Sequence, residues 1–227
     1  MKAQEILNQL RNKRIRWIAI VLMTIVVFTV IGCASKMTTA SYYLIDYRPV
    51  ARNANLTSVQ KIPKRVAVKN FKIPRSFDSN RIIARYSSHQ INYYRYSLWA
   101  VRPQIAVADL LTQHINTYGL FAKCQREFLD ERPDYEISGE IYQIEKYQSE
   151  LYTAAHLKMV FELHDYNNGN LLVKHEFDRE MPIPPDNMTI FAKAVSDLVQ
   201  EEAELFLFQV VTYFNTLPPD STASIAQ

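Results

Sequence analysis

Residues that build catalytic and cofactor sites are scarce in this sequence. Beyond residue 32 it contains three glycines, at positions 119, 139 and 169, too few to form a glycine-rich loop around a phosphate group. No G-x-S-x-G or H-E-x-x-H motif is present, so serine-hydrolase and zinc-protease functions have no support. We expect no enzymatic activity and no cofactor.

The five histidines are scattered along the chain. His156 and His164 share one phase of a predicted strand, but a separation of eight residues corresponds to roughly 26 Å along that strand. One metal ion cannot bind both side chains. We therefore expect solvated strand histidines and no metal site.

The main part of the chain also lacks a strong net charge. Residues 1–32 hold five basic residues and one acid, and the rest of the chain holds 21 basic and 22 acidic residues. Nucleic-acid binding needs a basic face on the working domain. The near balance of charges therefore gives no support for a nucleic-acid partner.

One long apolar run is present, and it lies near the N-terminus. Basic residues between Arg11 and Arg16 precede an apolar run from Trp17 to Ile31, which is the layout of a bacterial secretory signal peptide. An uncleaved transmembrane anchor is the less favoured alternative, because the run spans only about 22 Å as a helix and the hydrocarbon core is roughly 30 Å thick.

The end of this run resembles a lipobox. Val30-Ile31-Gly32 precedes Cys33, whose thiol would receive a diacylglycerol and become the first residue of the mature protein. We therefore predict a signal peptide over residues 1–32 and a lipidated tether over 33–40, whose seven residues after the cysteine reach about 25 Å when extended. Ser35 replaces the Asp that would resemble an inner-membrane retention signal, which favours the periplasmic face of the outer membrane.

Cys124 is the other cysteine. It follows Phe121 in an apolar segment, so we expect a buried small hydrophobic residue; a disulfide with Cys33 is the less favoured alternative. With Cys33 acylated, Cys124 has no partner, and a disulfide-stapled fold is excluded.

Hydrophobic periodicity predicts the strands and helices of one domain over residues 41–214, and Pro218-Pro219 with the Ser and Thr residues that follow predict a disordered tail over 215–227. The predicted strands cover residues 41–46, 65–71, 81–86, 91–97, 120–125 and, beyond Asp134, three period-two segments that include 157–163 and 171–181. A helix that begins near Pro103 ends at Gly119 in a left-handed cap. A second, long helix covers residues 188–214 after a capping Asp186 or Asn187.

The last two strands flank the turn signal Asn167-Asn168-Gly169-Asn170. A two-residue turn would place apolar residues opposite charged ones. A three-residue loop with a bulge pairs residues whose numbers sum to 336 or 338, for instance Phe161 with Phe177, and keeps apolar residues together. We expect this loop, with Gly169 in the left-handed conformation.

An aromatic and basic cluster precedes the first helix. Its members are Tyr93, Tyr94, Tyr96, Trp99, Arg95 and Arg102. Tyr, Trp and Arg are favoured where binding energy concentrates in interfaces, so one hypothesis is a partner-binding surface. The alternative is the edge of a β-hairpin whose aromatic side chains pack on the core.

The order of these features resembles the ABC-type transport auxiliary lipoproteins of the PqiC/YmbA kind. The resemblance is carried by the lipobox, Tyr42-Tyr43-Leu44, the segment Arg81–Tyr86, Tyr93-Tyr94 leading to Trp99-Ala100 and Pro103, and the Gly-terminated helix. It implies an α/β fold similar to anticodon-binding or TolB N-terminal domains, with helices packed on the faces of a mixed, mostly antiparallel sheet. It supplies no catalytic residues.

The resemblance also implies a role as a non-enzymatic outer-membrane lipoprotein of a lipid-transport system built around periplasm-spanning MCE-domain proteins. A homo-oligomeric adaptor is our hypothesis for this role. An alternative function is that of a lipoprotein scaffold or activator of a cell-wall synthesis enzyme. Such a protein working at the inner membrane would need a long tether, and a seven-residue tether argues against it. A hydrolase is the third alternative.

Overall fold

The computed structural model describes residues 15–18, 20–23, 39–49, 56 and 61–217. The chain divides into two compact units, residues 1–39 and 40–227. In the first unit, residues 15–18 and 20–23 are helical; Cys33 and most of the predicted signal peptide and tether lie outside the described residues. No helix in the described ranges combines the length and the apolar character needed to cross a membrane.

In the part of the second unit that the structure describes, a mixed eight-stranded sheet packs with two long helices. In chain order its elements are β1 (Ser41–Tyr43), β2 (Ile62–Val68), β3 (Arg81–Ser87), β4 (Gln90–Trp99), α1 (Pro103–Tyr118), β5 (Phe121–Gln125), β6 (Tyr135–Gln148), β7 (Thr153–Asp165), β8 (Leu171–Pro182) and α2 (Met188–Thr216). α1 packs on β2 and β5, α2 packs on β7 and β8, and the two helices touch each other. The predicted α/β fold class is confirmed.

The sheet is forked at β6. One edge of β6 pairs along its length with β7, which in turn pairs with β8, so these three strands form an antiparallel meander. The other edge is shared: the first residues of β6 pair with β2, and Lys146 and Tyr147 pair with β3. One arm of the fork is therefore β2 with β5, and the other is β3, β4 and β1. The long pairings are antiparallel, and the short pairings to and within the arms are mostly parallel.

A bulge divides β6 into two halves of opposite phase. Ile141 lies opposite Met159 and Gln143 lies opposite Lys158, so Tyr142 is the extra residue. Before the bulge the odd-numbered residues of β6 face the helices, and after it the even-numbered ones do. The bulge therefore moves Glu145 onto the sheet face that points away from the helices.

The predicted cap at the C-terminus of α1 and the predicted cap at the N-terminus of α2 are both confirmed. Gly119 has φ 63° and its N–H donates to the carbonyls of Asn116 and Ile115, which ends α1. At the start of α2, the Asn187 side chain accepts a hydrogen bond of 3.0 Å from the Ile190 N–H. α2 continues to Thr216, two residues beyond the predicted end.

The β7–β8 hairpin has the predicted bulged loop. Gly169 has φ 72°, the pairing shifts between Leu163 and His164, and most paired residues sum to 336. The example pair was wrong: Phe177 lies opposite Met159, because the register takes the other of the two allowed sums. The rings of Phe161 and Phe177 still stack diagonally, with centroids 6.1 Å apart.

The core fills the space between the sheet and the helices. Phe161 on β7 stacks on Phe206 of α2 at a centroid distance of 5.3 Å and meets Phe71 edge to face at 5.4 Å. Cys124 is buried and has a free thiol, as predicted, and burial raises its pKa to about 12. At such a pKa the thiol stays protonated and packs as a small hydrophobic group.

Candidate functional site

β4 carries the predicted aromatic cluster, and its side chains do not alternate regularly between the two faces of the sheet. It pairs with β3 at Ile83–Tyr93 and again at Arg81–Leu98, so β4 contains three more residues than β3 in this interval. Regular alternation would place every second side chain on the same face. The extra residues break this rule, and both Tyr93 and Tyr96 are exposed.

Three exposed members of the cluster form one surface, here called the β4 surface and defined by Tyr93, Arg95 and Tyr96. Tyr93 is 40% exposed and Tyr96 is 42% exposed. The Arg95 guanidinium lies 5.8 Å from the centroid of the Tyr96 ring, within the range of a cation–π contact. The Tyr93 hydroxyl donates to the Ser76 carbonyl at 3.0 Å, which holds the preceding loop against β4.

Tyr94 is half-buried beneath this surface and joins β4 to the loop before α2. The buried ammonium group of Lys146 donates to the Tyr94 hydroxyl at 3.4 Å and to the carbonyl of Pro185. Burial lowers the pKa of Lys146, against the attraction of the Asp186 carboxylate. Tyr94 therefore supports the β4 surface and contributes little of its exposed area.

Trp99 does not belong to the surface, and for this residue the alternative of packing on the core applies. Its side chain is 2% exposed, and its ring centroid lies 5.7 Å from that of Phe191 on α2. Trp99 stands at the end of β4, where it fills the space between the sheet and the helix. Arg102 is exposed, but its guanidinium forms an ion pair of 3.3 Å with Asp78.

A shallow cavity of about 270 Å³ adjoins the β4 surface. It is lined by Arg75, Ser76, Ser79, Asn80, Arg81 and Tyr93. Neither of its two arginines forms an ion pair with a carboxylate of the described chain. Sequence reasoning missed this cavity, although a local signal exists: residues 69–108 contain seven basic residues and one acid, Asp78.

A second polar cluster lies on the sheet face away from the helices and is called here the Glu145 network. Glu145 is fully buried and accepts from Arg85 Nε and from His156 Nδ1 at 3.2 Å. His156 Nε2 lies 2.8 Å from Asp178 Oδ1, and Lys158 lies 3.0 Å from Asp178 Oδ2. These contacts connect strands β3, β6, β7 and β8.

The network favours the charged form of His156. Burial alone would lower the pKa of His156, but the hydrogen bonds and charges of Glu145 and Asp178 raise it above its ordinary value. Burial likewise acts to raise the pKa of Glu145, but His156 and Arg85 outweigh it and lower that pKa. The expectation that His156 is solvated is wrong, because the bulge at Tyr142 brings Glu145 beside it.

The two ring nitrogens of His156 contact Glu145 and Asp178. Among the described residues no hydroxyl or thiol hydrogen-bonds to this histidine, so the network does not contain the nucleophile–base pair used in covalent catalysis. Within the described ranges, no group of three or more His, Cys, Asp or Glu side chains is placed to hold a metal ion. The arrangement is suited to binding at the β4 surface and to stabilisation of the fold by the network.

Comparisons with known proteins agree with the fold. Among solved structures, protein XCC0632 from Xanthomonas campestris has a TM-score of 0.65 and 16% identity, over 80% of this chain and 99% of that chain. An uncharacterized protein has a TM-score of 0.58 and 14% identity, over 76% and 99%. Likenesses at these identities concern the fold alone. Among curated proteins, none matches the sequence significantly.

The sequence profile of one family matches residues 43–205. This range is more than half of the chain and contains β2 to β8, α1 and a large part of α2. The match confirms the resemblance deduced from the order of the sequence motifs. The chain therefore belongs to the family of ABC-type transport auxiliary lipoprotein components.

Proposed function

We propose that this protein is a non-enzymatic adaptor that docks a periplasm-spanning MCE-type lipid conduit of an ABC transport system at the outer membrane. The observation that carries the proposal is the family match, because it covers the domain that bears the β4 surface. The lipobox at Cys33 and the short tether support a place within a few nanometres of the membrane.

The docking part of the proposal concerns the β4 surface. Tyr93, Arg95 and Tyr96 supply two exposed rings and one guanidinium that forms no ion pair among the described residues. These residue types concentrate binding energy in interfaces. Tyr94 and Arg102 take a supporting part: Tyr94 fixes β4 to Lys146, and Arg102 fixes the neighbouring loop through Asp78. Trp99 is excluded from the contact because it is buried.

The test is copurification from detergent-solubilised envelope. The variant Tyr93→Ala/Tyr96→Ala should lose the partner while its thermal unfolding stays close to that of the wild type. Tyr152→Ala/Tyr166→Ala is the matched control, since these tyrosines are 38% and 40% exposed and lie outside the β4 surface. Retained binding by the first variant would contradict the docking surface, and a cell-wall synthesis enzyme as the captured partner would favour the alternative function.

The anchor is tested separately. Radiolabelled palmitate should be incorporated into the wild type and not into Cys33→Ala. Mature protein with an intact, uncleaved N-terminus would contradict the predicted lipidation. A homo-oligomer is also part of the proposal, and the mass of the purified lipoprotein in detergent, measured by light scattering, would reveal it.

A further inference from the structure

The arm formed by β3, β4 and β1 carries a local positive charge that the near-neutral composition conceals. Residues 75–102, which include β3, β4 and the loop before them, hold five basic side chains and one acid; one of the five, Arg85, is paired with Glu145. That acid, Asp78, is already engaged, since Arg102 lies 3.3 Å from it and Gln104 donates to it at 2.8 Å. Arg75, Arg81 and Arg95 have no ion-pair partner among the described residues.

Two of these arginines share the cavity beside the β4 surface. Arg75 and Arg81 line it together with two serines, one asparagine and Tyr93, and no carboxylate lines it. Its lining therefore offers two planar cations and neutral hydrogen-bond donors. Guanidinium groups bind phosphate through paired N–H donors, so the chemistry of the lining fits a phosphate oxyanion.

The loop that forms the cavity is held in place before any ligand binds. Phe77 of this loop is buried in the core, and the N–H groups of Phe77 and Asp78 both donate to the Pro74 carbonyl. Tyr93 holds the loop at the Ser76 carbonyl, and the Trp99 N–H donates to Asn80 at 2.6 Å. A fixed loop lowers the ordering cost of binding.

We propose that this cavity binds the phosphodiester of an anionic phospholipid headgroup through Arg75 and Arg81. The inference rests on the proposed function, in which the domain stands on a short lipid tether. β1 runs parallel to β4 with Ser41 beside Ser97, so the tether enters the domain next to Arg95 and Tyr96. The cavity is thus on the arm that the tether holds near the bilayer.

Exposed tyrosines on the same arm fit the same partner. Tyr93 lines the cavity, Tyr96 is exposed on β4, and Tyr42 is exposed on the adjacent strand β1. Tyrosine rings are enriched at the level of lipid headgroups, where their apolar body and polar hydroxyl are both accommodated. Rings and unpaired arginines on one arm favour a lipid headgroup over a phosphate ion free in solution.

The experiment uses the full-length lipoprotein in dodecyl maltoside micelles, titrated calorimetrically with dihexanoyl phosphatidylglycerol. The wild type should bind saturably, about tenfold more tightly than it binds the zwitterionic dihexanoyl phosphatidylcholine. Arg75→Gln/Arg81→Gln should weaken phosphatidylglycerol binding by about tenfold or more, the scale expected for lost charge-assisted hydrogen bonds. The micelle background is common to all the variants.

Arg48→Gln/Arg132→Gln is the matched control. It removes two exposed arginines and the same net charge at a distance in sequence from the cavity, so its binding should equal that of the wild type. If the control variant weakens phosphatidylglycerol binding equally, general electrostatic attraction explains the binding and the proposed site is wrong. If inorganic phosphate binds as tightly as the lipid, the ligand is not specifically a lipid headgroup. If no saturable binding is seen, the cavity is not a phosphate site at all.

The inference and the proposed function fail in distinguishable ways. Arg75 and Arg81 lie outside the β4 surface, so Arg75→Gln/Arg81→Gln should still capture the transport partner. Loss of the partner in this variant would show that the cavity binds an acidic protein segment instead of a lipid. Lipid binding without any captured transport partner would retain the cavity assignment and contradict the adaptor function.

Discussion

Arg81 and Arg85 lie four residues apart on β3, yet their guanidinium groups have opposite surroundings. Arg85 is mostly buried and donates to the fully buried Glu145, which His156 also contacts. Arg81 is exposed and has no acidic partner in the described chain. The comparison separates two uses of one residue type: paired charges in the Glu145 network stabilise the fold, and unpaired charges on the neighbouring arm remain available for a ligand.

The aromatic residues of β4 divide in the same way into a buried and an exposed group. The largest change in the free energy of unfolding is expected from the buried one. Trp99→Ala should lower the free energy of unfolding by about 3–5 kcal/mol, because truncation of a buried aromatic side chain leaves a cavity in the core. Tyr96→Ala should change it by about 0.5 kcal/mol or less, as exposed substitutions do. Urea unfolding followed by circular dichroism measures both. Similar losses for the two variants would remove the distinction between core and surface on β4.

The next largest difference in the free energy of unfolding is expected between substitutions of the two arginines of β3. Arg85→Ala should cost about 3 kcal/mol, since it leaves the buried Glu145 carboxylate short of a cation. Arg81→Ala should leave the stability within about 0.5 kcal/mol of the wild type and weaken anionic lipid binding. Equilibrium unfolding run beside the lipid titration separates the two. A stable Arg85→Ala protein would mean that His156 alone compensates Glu145.

The smallest expected effect is a pH dependence from His156. Because the folded-state pKa of His156 is raised, its contribution is fully present below its unfolded pKa of about 6.5 and is lost as the pH rises through the folded value. The contribution of Glu145, whose pKa is lowered, is present above its unfolded pKa and is lost as the pH falls through the folded value.

Melting temperatures measured between pH 6 and 9 test this linkage. The wild type should lose stability as the pH rises through this range, and His156→Gln should show a smaller loss. His175→Gln is a useful control, since His175 contacts Glu202 across the α2–β8 interface and is not part of the Glu145 network. Identical pH profiles for the wild type and His156→Gln would contradict a charged His156.

The local elements of the fold could be predicted because their signals are local. Gly119 ends α1, Asn187 caps α2, and Gly169 takes the left-handed conformation in the β7–β8 loop. Each depends on the conformational preference of a single residue and its near neighbours. The family resemblance added the class of the fold, which no single motif determines.

Features that depend on one extra residue or on distant pairing could not be predicted. Tyr142 carries no signal of a bulge, yet it reverses the phase of β6 and brings Glu145 beside His156. On β4, regular alternation would place exposed Tyr93 on the same face as buried Trp99, and the sequence gives no signal of the three extra residues that break this phase. The sequence shows the excess of basic residues between 69 and 108. That Arg75 and Arg81 in the cavity have no acidic partner among the described residues depends on the tertiary structure.

The forked sheet has a consequence for the order in which the domain assembles. β2 and β3 do not pair with each other in the described sheet; each pairs with β6. A chain that emerges N-terminus first can therefore form the β3–β4 hairpin and the β2–β5 pair early, but these two pieces have no common strand until Tyr135–Gln148 has emerged. Joining them closes loops of roughly 60 to 70 residues, which slows folding. The first half of the domain thus remains loosely connected until β6 emerges and joins its two pieces.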